Sequence, residues 1–116
     1  MRYMLLIYGD ESQMASMSEE EMGGVMDAYN KFTVDFEASG KMIGGEALLP
    51  TPTATVVQVQ DGKTITTDGP FAETKEALGG YYAIDAADLD EAIAWAAKIP
   101  GAQSGSIEVR PIMEFE

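Results

Sequence analysis

The 116-residue chain contains no cysteine and no histidine, and only seven basic residues stand against twenty acidic ones. The two zeros exclude a disulfide framework, a thiolate nucleophile, a zinc site built from Cys or His, and a Ser-His-Asp triad. The shortage of positive charge, a formal net charge of −13, argues against nucleic acid or an anionic membrane as a partner, since both require a basic patch. Long apolar runs are missing too. No stretch approaches the roughly 20 apolar residues of a membrane span. The apolar opening, Met1-Arg2-Tyr3-Met4-Leu5-Leu6-Ile7-Tyr8, stops at Gly9-Asp10-Glu11, too short for a signal peptide with its cleavage site. A cytoplasmic location is therefore expected. The length suits a single domain, residues 1–116, large enough to bury a core without staples.

What is present reads as alternating strands and helices. Residues 2–8 form a strand that is apolar on both faces, with Tyr3, Leu5 and Ile7 on one side and Met4, Leu6 and Tyr8 on the other. A strand with one face in water alternates apolar and polar residues, so this one is expected to be covered twice. Residues 9–17 read as a polar loop. Ser18 with Glu21 three residues on is a capping box. Met22, Val25, Met26, Tyr29, Phe32, Thr33 and Phe36 then follow the spacing of one buried helical face, which closes at Gly40. Residues 41–49 are strand-like, with Gly44-Gly45 suggesting a bulge or a close approach. Residues 54–60 and 63–67 flank Asp61-Gly62, a two-residue hairpin turn. Residues 68–80 are the least regular stretch, and residues 81–86 read as a strand. Asp88 caps a second helix with Glu91 in the capping-box position. Leu89, Ala92, Ile93 and Ala96 make its apolar stripe, Trp95 lies off that stripe, and Pro100-Gly101 ends it. Residues 105–113 form the last strand.

Two split βαβ units within one short chain imply an α+β fold: a ferredoxin-like βαββαβ sandwich with an extra hairpin, its helices on one face of an antiparallel sheet. That arrangement leaves the second apolar face of the first strand uncovered. Self-association through the open sheet face resolves the conflict, so a homodimer with apposed sheets is expected.

Asp68-Gly69-Pro70-Phe71-Ala72-Glu73-Thr74-Lys75-Glu76, followed by Leu78-Gly79-Gly80-Tyr81-Tyr82, resembles the signature of the YCII-related, or DGPF-domain, family. The opening through Tyr8-Gly9-Asp10, the middle Gly44-Gly45-Glu46-Ala47-Leu48 and the end Ser106-Ile107-Glu108-Val109-Arg110-Pro111 are similar to the same family. The resemblance implies a dimeric α/β barrel of ferredoxin-like subunits, a bacterial protein, and frequent encoding near extracytoplasmic-function sigma factors. It also carries a proposed His-Asp active-site pair. That pair does not transfer to a chain without histidine, and the region before the last strand, Pro100-Gly101-Ala102-Gln103-Ser104-Gly105, is likewise without one. Any acid–base chemistry falls to carboxylates, Lys or Tyr.

The candidate site residues each have two readings. Asp68 is either a general base raised in pKa by burial or the residue that turns the chain before Gly69-Pro70. Glu73, Lys75 and Glu76 are either a substrate-binding group, with Lys75 orienting an anion, or a solvated loop with weak pairs. Arg110 either grips a carboxylate ligand or pairs with Glu108, Glu46 or Asp68. Tyr8, with Tyr81 and Tyr82, lines a pocket or belongs to core and interface. The eight methionines read as gap-fillers rather than copper ligands, and Asp10-Glu11 lacks EF-hand spacing, so no metal or other cofactor is expected. The leading expectation is a small-molecule-binding dimer, an acid–base lyase or isomerase with its cleft among the first strand, the 68–76 loop and Arg110. The alternative is a non-catalytic accessory module of a sigma-factor circuit.

Overall fold

The computed structural model describes residues 1–115. Among them the strands are β1 (Arg2–Gly9), β2 (Met42–Ala47), β3 (Thr55–Gln60), β4 (Lys63–Asp68), β5 (Ala77–Asp85) and β6 (Ser106–Pro111). The helices are α1 (Glu11–Ala15), α2 (Glu19–Ala38) and α3 (Leu89–Lys98), with single 3-10 turns at Thr51–Thr53 and Pro100–Ala102. β1 pairs antiparallel with β5 and β6, and β5 antiparallel with β2, giving the order β2-β5-β1-β6. This α+β arrangement, with consecutive parallel strands separated by an antiparallel one, is compatible with a ferredoxin-like fold. β3 and β4 form a separate two-stranded ribbon inserted between β2 and β5.

Local chemistry accounts for the element ends. The Ser18 hydroxyl accepts from the Glu21 N–H while the Glu21 carboxylate accepts from the Ser18 N–H, a closed capping box. Asp88 accepts from the Glu91 N–H, but the Glu91 carboxylate reaches the N–H of Ala87 instead of the cap residue. Asp61 and Gly62 both have positive φ, 50° and 75°, the geometry of a type I′ hairpin turn.

One face of the sheet holds the core. Tyr3 and Leu5 of β1 and Tyr82 and Ile84 of β5 are buried beneath Phe32 and Phe36 of α2 and Ala92, Ala96 and Ile99 of the α3 segment. Phe36 sits at the centre, its ring 4.9 Å from Trp95 and 5.7 Å from Tyr82 between centroids. The alanines bring α3 close to the sheet, and the rings fill the space between the helices. Gly45 is small for the same reason, because a Cβ there would lie 2.5 Å from the Tyr82 ring. The Gly44-Gly45 expectation is met twice over, since the β2–β5 register also shifts between Met42 and Gly44.

Several local expectations are corrected. Residues 11–15 are helical where a polar loop was expected, because Asp10 caps them by accepting from the Ser12 N–H. β5 begins at Ala77, four residues before the expected start, since its first residues pair with the end of β1. Leu89 and Ile93 are each 48% exposed. The buried face of α3 is rotated toward Ala92, Trp95 and Ala96, drawn by the aromatic rings of α2. Met26 is exposed too, since the buried residues of α2 are Phe32 and Phe36, with Tyr29 packed beside them and Met26 turned away from the core.

Gly105 is the tightest backbone approach. A Cβ built there lies 2.1 Å from the Tyr8 carbonyl oxygen and 3.2 Å from Gly9 Cα. Neither obstacle is a movable side chain. Gly105→Ala is expected to cost about 2–3 kcal/mol by forcing β6 away from β1, read as a lowered urea midpoint with an unchanged slope. A midpoint within error of the parent would contradict the close approach.

Candidate functional site

The outward face of the sheet carries the alternate residues of each strand. The register places Glu46, Tyr81, Leu6 and Glu108 in one row across β2, β5, β1 and β6. The next row holds Gly44, Ala83, Met4 and Arg110. At the far end Tyr8 stands between Leu78 and Ser106. Among the described residues no helix covers this face, which is apolar down its centre and charged at its edges. The first strand is thus packed on one side only within a single copy.

Arg110 on this face forms an ion pair with Glu108, two residues before it on the same strand. It sits four strand positions from Ser106, about 13 Å along the sheet. Tyr8, by contrast, lies where the 68–76 loop returns to the sheet. The Ser106 hydroxyl donates to the Glu76 carboxylate at 3.0 Å, tying that loop to the start of β6. Thr74 steadies the same turn by donating to the Glu76 carbonyl. Lys75 acts on Asp10, just beyond the end of β1. The Asp10 carboxyl is held below its ordinary range by the Ser12 hydroxyl first, the Ser12 N–H next, and the Lys75 ammonium to a smaller degree.

Glu73 faces a cleft of about 310 Å³ between this loop, the 3-10 turn at Thr51–Thr53 and the start of α1. Its polar lining is Glu11, Thr51, Glu73 and Thr74, and its apolar lining is Pro52, Pro70, Ala72 and Ala77, with Gly69 at the bend. Gly69 has φ +97°, a conformation open to glycine and strained for other residues. Its N–H donates to the Ala54 carbonyl at 2.7 Å, which closes the root of the β3–β4 ribbon. Glu11 fixes the opposite wall by accepting from both the hydroxyl and the N–H of Thr51. These two bonds, the hydroxyl first, hold the Glu11 carboxyl below the usual glutamate range.

The structure therefore gathers Tyr8, Glu73, Lys75 and Glu76 at one end of the molecule and leaves two residues outside that group. Asp68 is exposed at the end of β4, where it pairs in register with Thr55 and is absent from the cleft lining. Arg110 is committed to Glu108 farther along the sheet. Asp10 and Glu11 serve separate partners, a helix cap and Thr51, rather than a common ion. Among the described residues no three Asp or Glu side chains converge as a metal site, and no helix is long and apolar enough to cross a membrane.

The sequence pattern of the YCII-related domain matches residues 1–116. The chain belongs to that family. This YCII-related domain is also 42% identical over 118 aligned residues to an uncharacterized protein of Rhizobium meliloti (strain 1021), covering 100% of the chain and 95% of the relative. The 68–76 loop that carries the family resemblance is thus the wall of the cleft. The other wall of the YCII-related domain, Glu11 and Thr51, is absent from the sequence-based candidate site. These residues are 40 positions apart. The one local signal is Thr51 between Pro50 and Pro52, where the flanking prolines supply no N–H and leave that of Thr51 to seek an acceptor.

Glu11 yields a pH prediction. A carboxylate whose folded pKa is depressed contributes stability above its unfolded value, about 4.3, and loses it as pH falls through the folded value. In a carbon-detected NMR titration Glu11 is expected to have a midpoint below that ordinary value. The stability difference between the parent and Glu11→Gln is expected to be present at neutral pH and to vanish in acid. An ordinary midpoint would refute the Thr51 clamp.

Proposed function

We propose that this chain is a small-molecule-binding homodimer, two copies apposing their open sheet faces as a dimeric α/β barrel. The observation that carries this reading is the uncovered face, where Met4, Leu6, Tyr8, Tyr81 and Ala83 stand in adjacent register positions. A contiguous apolar sheet face of this kind is a contact surface. The two-fold symmetric pairing of identical faces is the commonest way to cover one.

The ligand position in this reading is the cleft beside the 68–76 loop. Its volume, about 310 Å³, is at the lower end for small-molecule sites. Two carboxylates, two hydroxyls and no cationic side chain line it, a chemistry that favours a small amine-bearing molecule over an anion. Glu11 stays ionised at neutral pH because Thr51 stabilises its charged form. The prolines and alanines provide the apolar floor. Within this reading any lyase or isomerase step falls to the cleft carboxylates Glu11 and Glu73 rather than to Asp68, which lies outside the lining, and the chain has no histidine to relay a proton.

A thermal-shift panel of small amines and matched carboxylic acids tests the site, since a ligand that binds only the folded state raises the midpoint. At least one amine class is expected to raise the midpoint by several degrees, about 4 °C per kcal/mol for a domain of this size, with the shift lost in Glu73→Gln. Stabilisation by the acids alone, or by nothing in the panel, would overturn the assignment.

A further inference from the structure

We propose that the β3–β4 ribbon is an arm whose Val57/Val59 face packs onto a second copy of this chain. The inference deepens the dimer reading above and rests on it. Among the described residues β3 and β4 pair with each other and with no other strand. Every residue of β4 is exposed, and Val57 and Val59 of β3 are 60% and 69% exposed. The register sets Val57 opposite Thr66 and Val59 opposite Thr64, so one face presents four β-branched side chains to solvent. The radius of gyration, 16.2 Å, exceeds the roughly 13 Å of a compact domain of this length, as a projecting arm requires.

A two-stranded hairpin without a packing surface is marginal at best in water. Yet this one is built to form: a type I′ turn at Asp61-Gly62, β-branched residues along both strands, and a root closed by the Gly69 to Ala54 hydrogen bond. Strong local chemistry with no support inside its own copy points to support from outside. Charge selects the partner. Each copy carries −13, so two copies repel, and stretches free of acid are where they meet at the least electrostatic cost. Residues 55–60 and 64–67 carry no charge. A basic partner would be drawn to the acidic surface and gain nothing from this one. Because β4 runs directly into the 68–76 loop, an arm seated on the second copy also tethers that copy to the wall of the cleft.

Two variants test the proposal. The double variant V57E/V59E places charge on exposed positions, so the far-UV circular dichroism of the subunit is expected to be unchanged. Both substitutions occur twice in a two-fold assembly, and the dimer dissociation constant is expected to rise at least about 100-fold. Val59→Cys introduces the only cysteine. Labelled with a benzophenone maleimide and irradiated, it is expected to yield a covalent species of twice the 12.5 kDa chain mass. A parent that is itself monomeric overturns the arm and the dimer together. A parent dimer whose affinity survives V57E/V59E, with no intersubunit cross-link at Val59→Cys, overturns the arm and leaves the sheet-face dimer standing.

Discussion

Phe36→Ala is expected to lower the unfolding free energy by about 3–5 kcal/mol, the range for emptying a buried aromatic site. Phe36 is fully buried and its ring contacts Phe32, Tyr82 and Trp95. It joins α2, β5 and α3 at one point. Three of its neighbours are themselves rings, held by one another and by a hydrogen bond of 2.9 Å between the Tyr82 and Thr33 hydroxyls. They cannot collapse readily into the space, which places the cost toward the upper end. Typical domains have only about 5–15 kcal/mol in hand, so a large share of the total is at stake. Urea titrations at one fixed protein concentration measure the loss, since association makes apparent stability concentration-dependent. Ile93→Ala, on the exposed side of α3, is the control and is expected to cost under about 1 kcal/mol. Equal losses for the two variants would refute the rotated packing of α3.

In the homodimer proposed above, Leu6→Asp is expected to abolish association at micromolar concentration while leaving the subunit folded. Leu6 lies at the centre of the open face, in register with Tyr81 on one side and Glu108 on the other, with Glu46 at the edge of the same row. The substitution puts a third carboxylate into a row that already holds two. In the single copy that row faces water and the added charge is screened. In the dimer it would be desolvated without a partner, in both copies at once, which costs several kcal/mol and about a thousandfold or more in affinity. Chromatography with light scattering, beside a melting curve, separates loss of assembly from loss of fold. A Leu6→Asp protein that remains dimeric would show that the contact lies elsewhere.

The fold was largely legible because its elements declare themselves locally. The Ser18–Glu21 capping box, the Phe32/Phe36 stripe and the Asp61-Gly62 turn each encode their structure within a few residues. The double apolar pattern of β1 carried longer-range information: one face meets the helices and the other is uncovered in the single copy. What the sequence hid was tertiary. The apolar spacing of α3 allows two neighbouring faces to be buried, and only the presence of Phe36 and Phe32 selects Trp95 over Ile93. Residues 11–15 carry little helical pattern, and their helix depends on the Asp10 cap. The candidate site was half visible. The 68–76 loop was marked by its dense signature, and Tyr8 lies beside it. The opposing wall depends on Glu11 meeting Thr51 across forty positions, a contact no local pattern encodes. The absence of histidine retains its force, since the cleft holds carboxylates and hydroxyls and no imidazole.

Sedimentation equilibrium of the unmodified chain at micromolar concentration, in about 0.15 M salt so that the repulsion between acidic copies is screened, tests the account most directly. The predicted result is a single species of twice the 12.5 kDa chain mass. A single species at the chain mass itself, unchanged up to the highest concentration reached, would contradict the covered sheet face on which the proposed function rests.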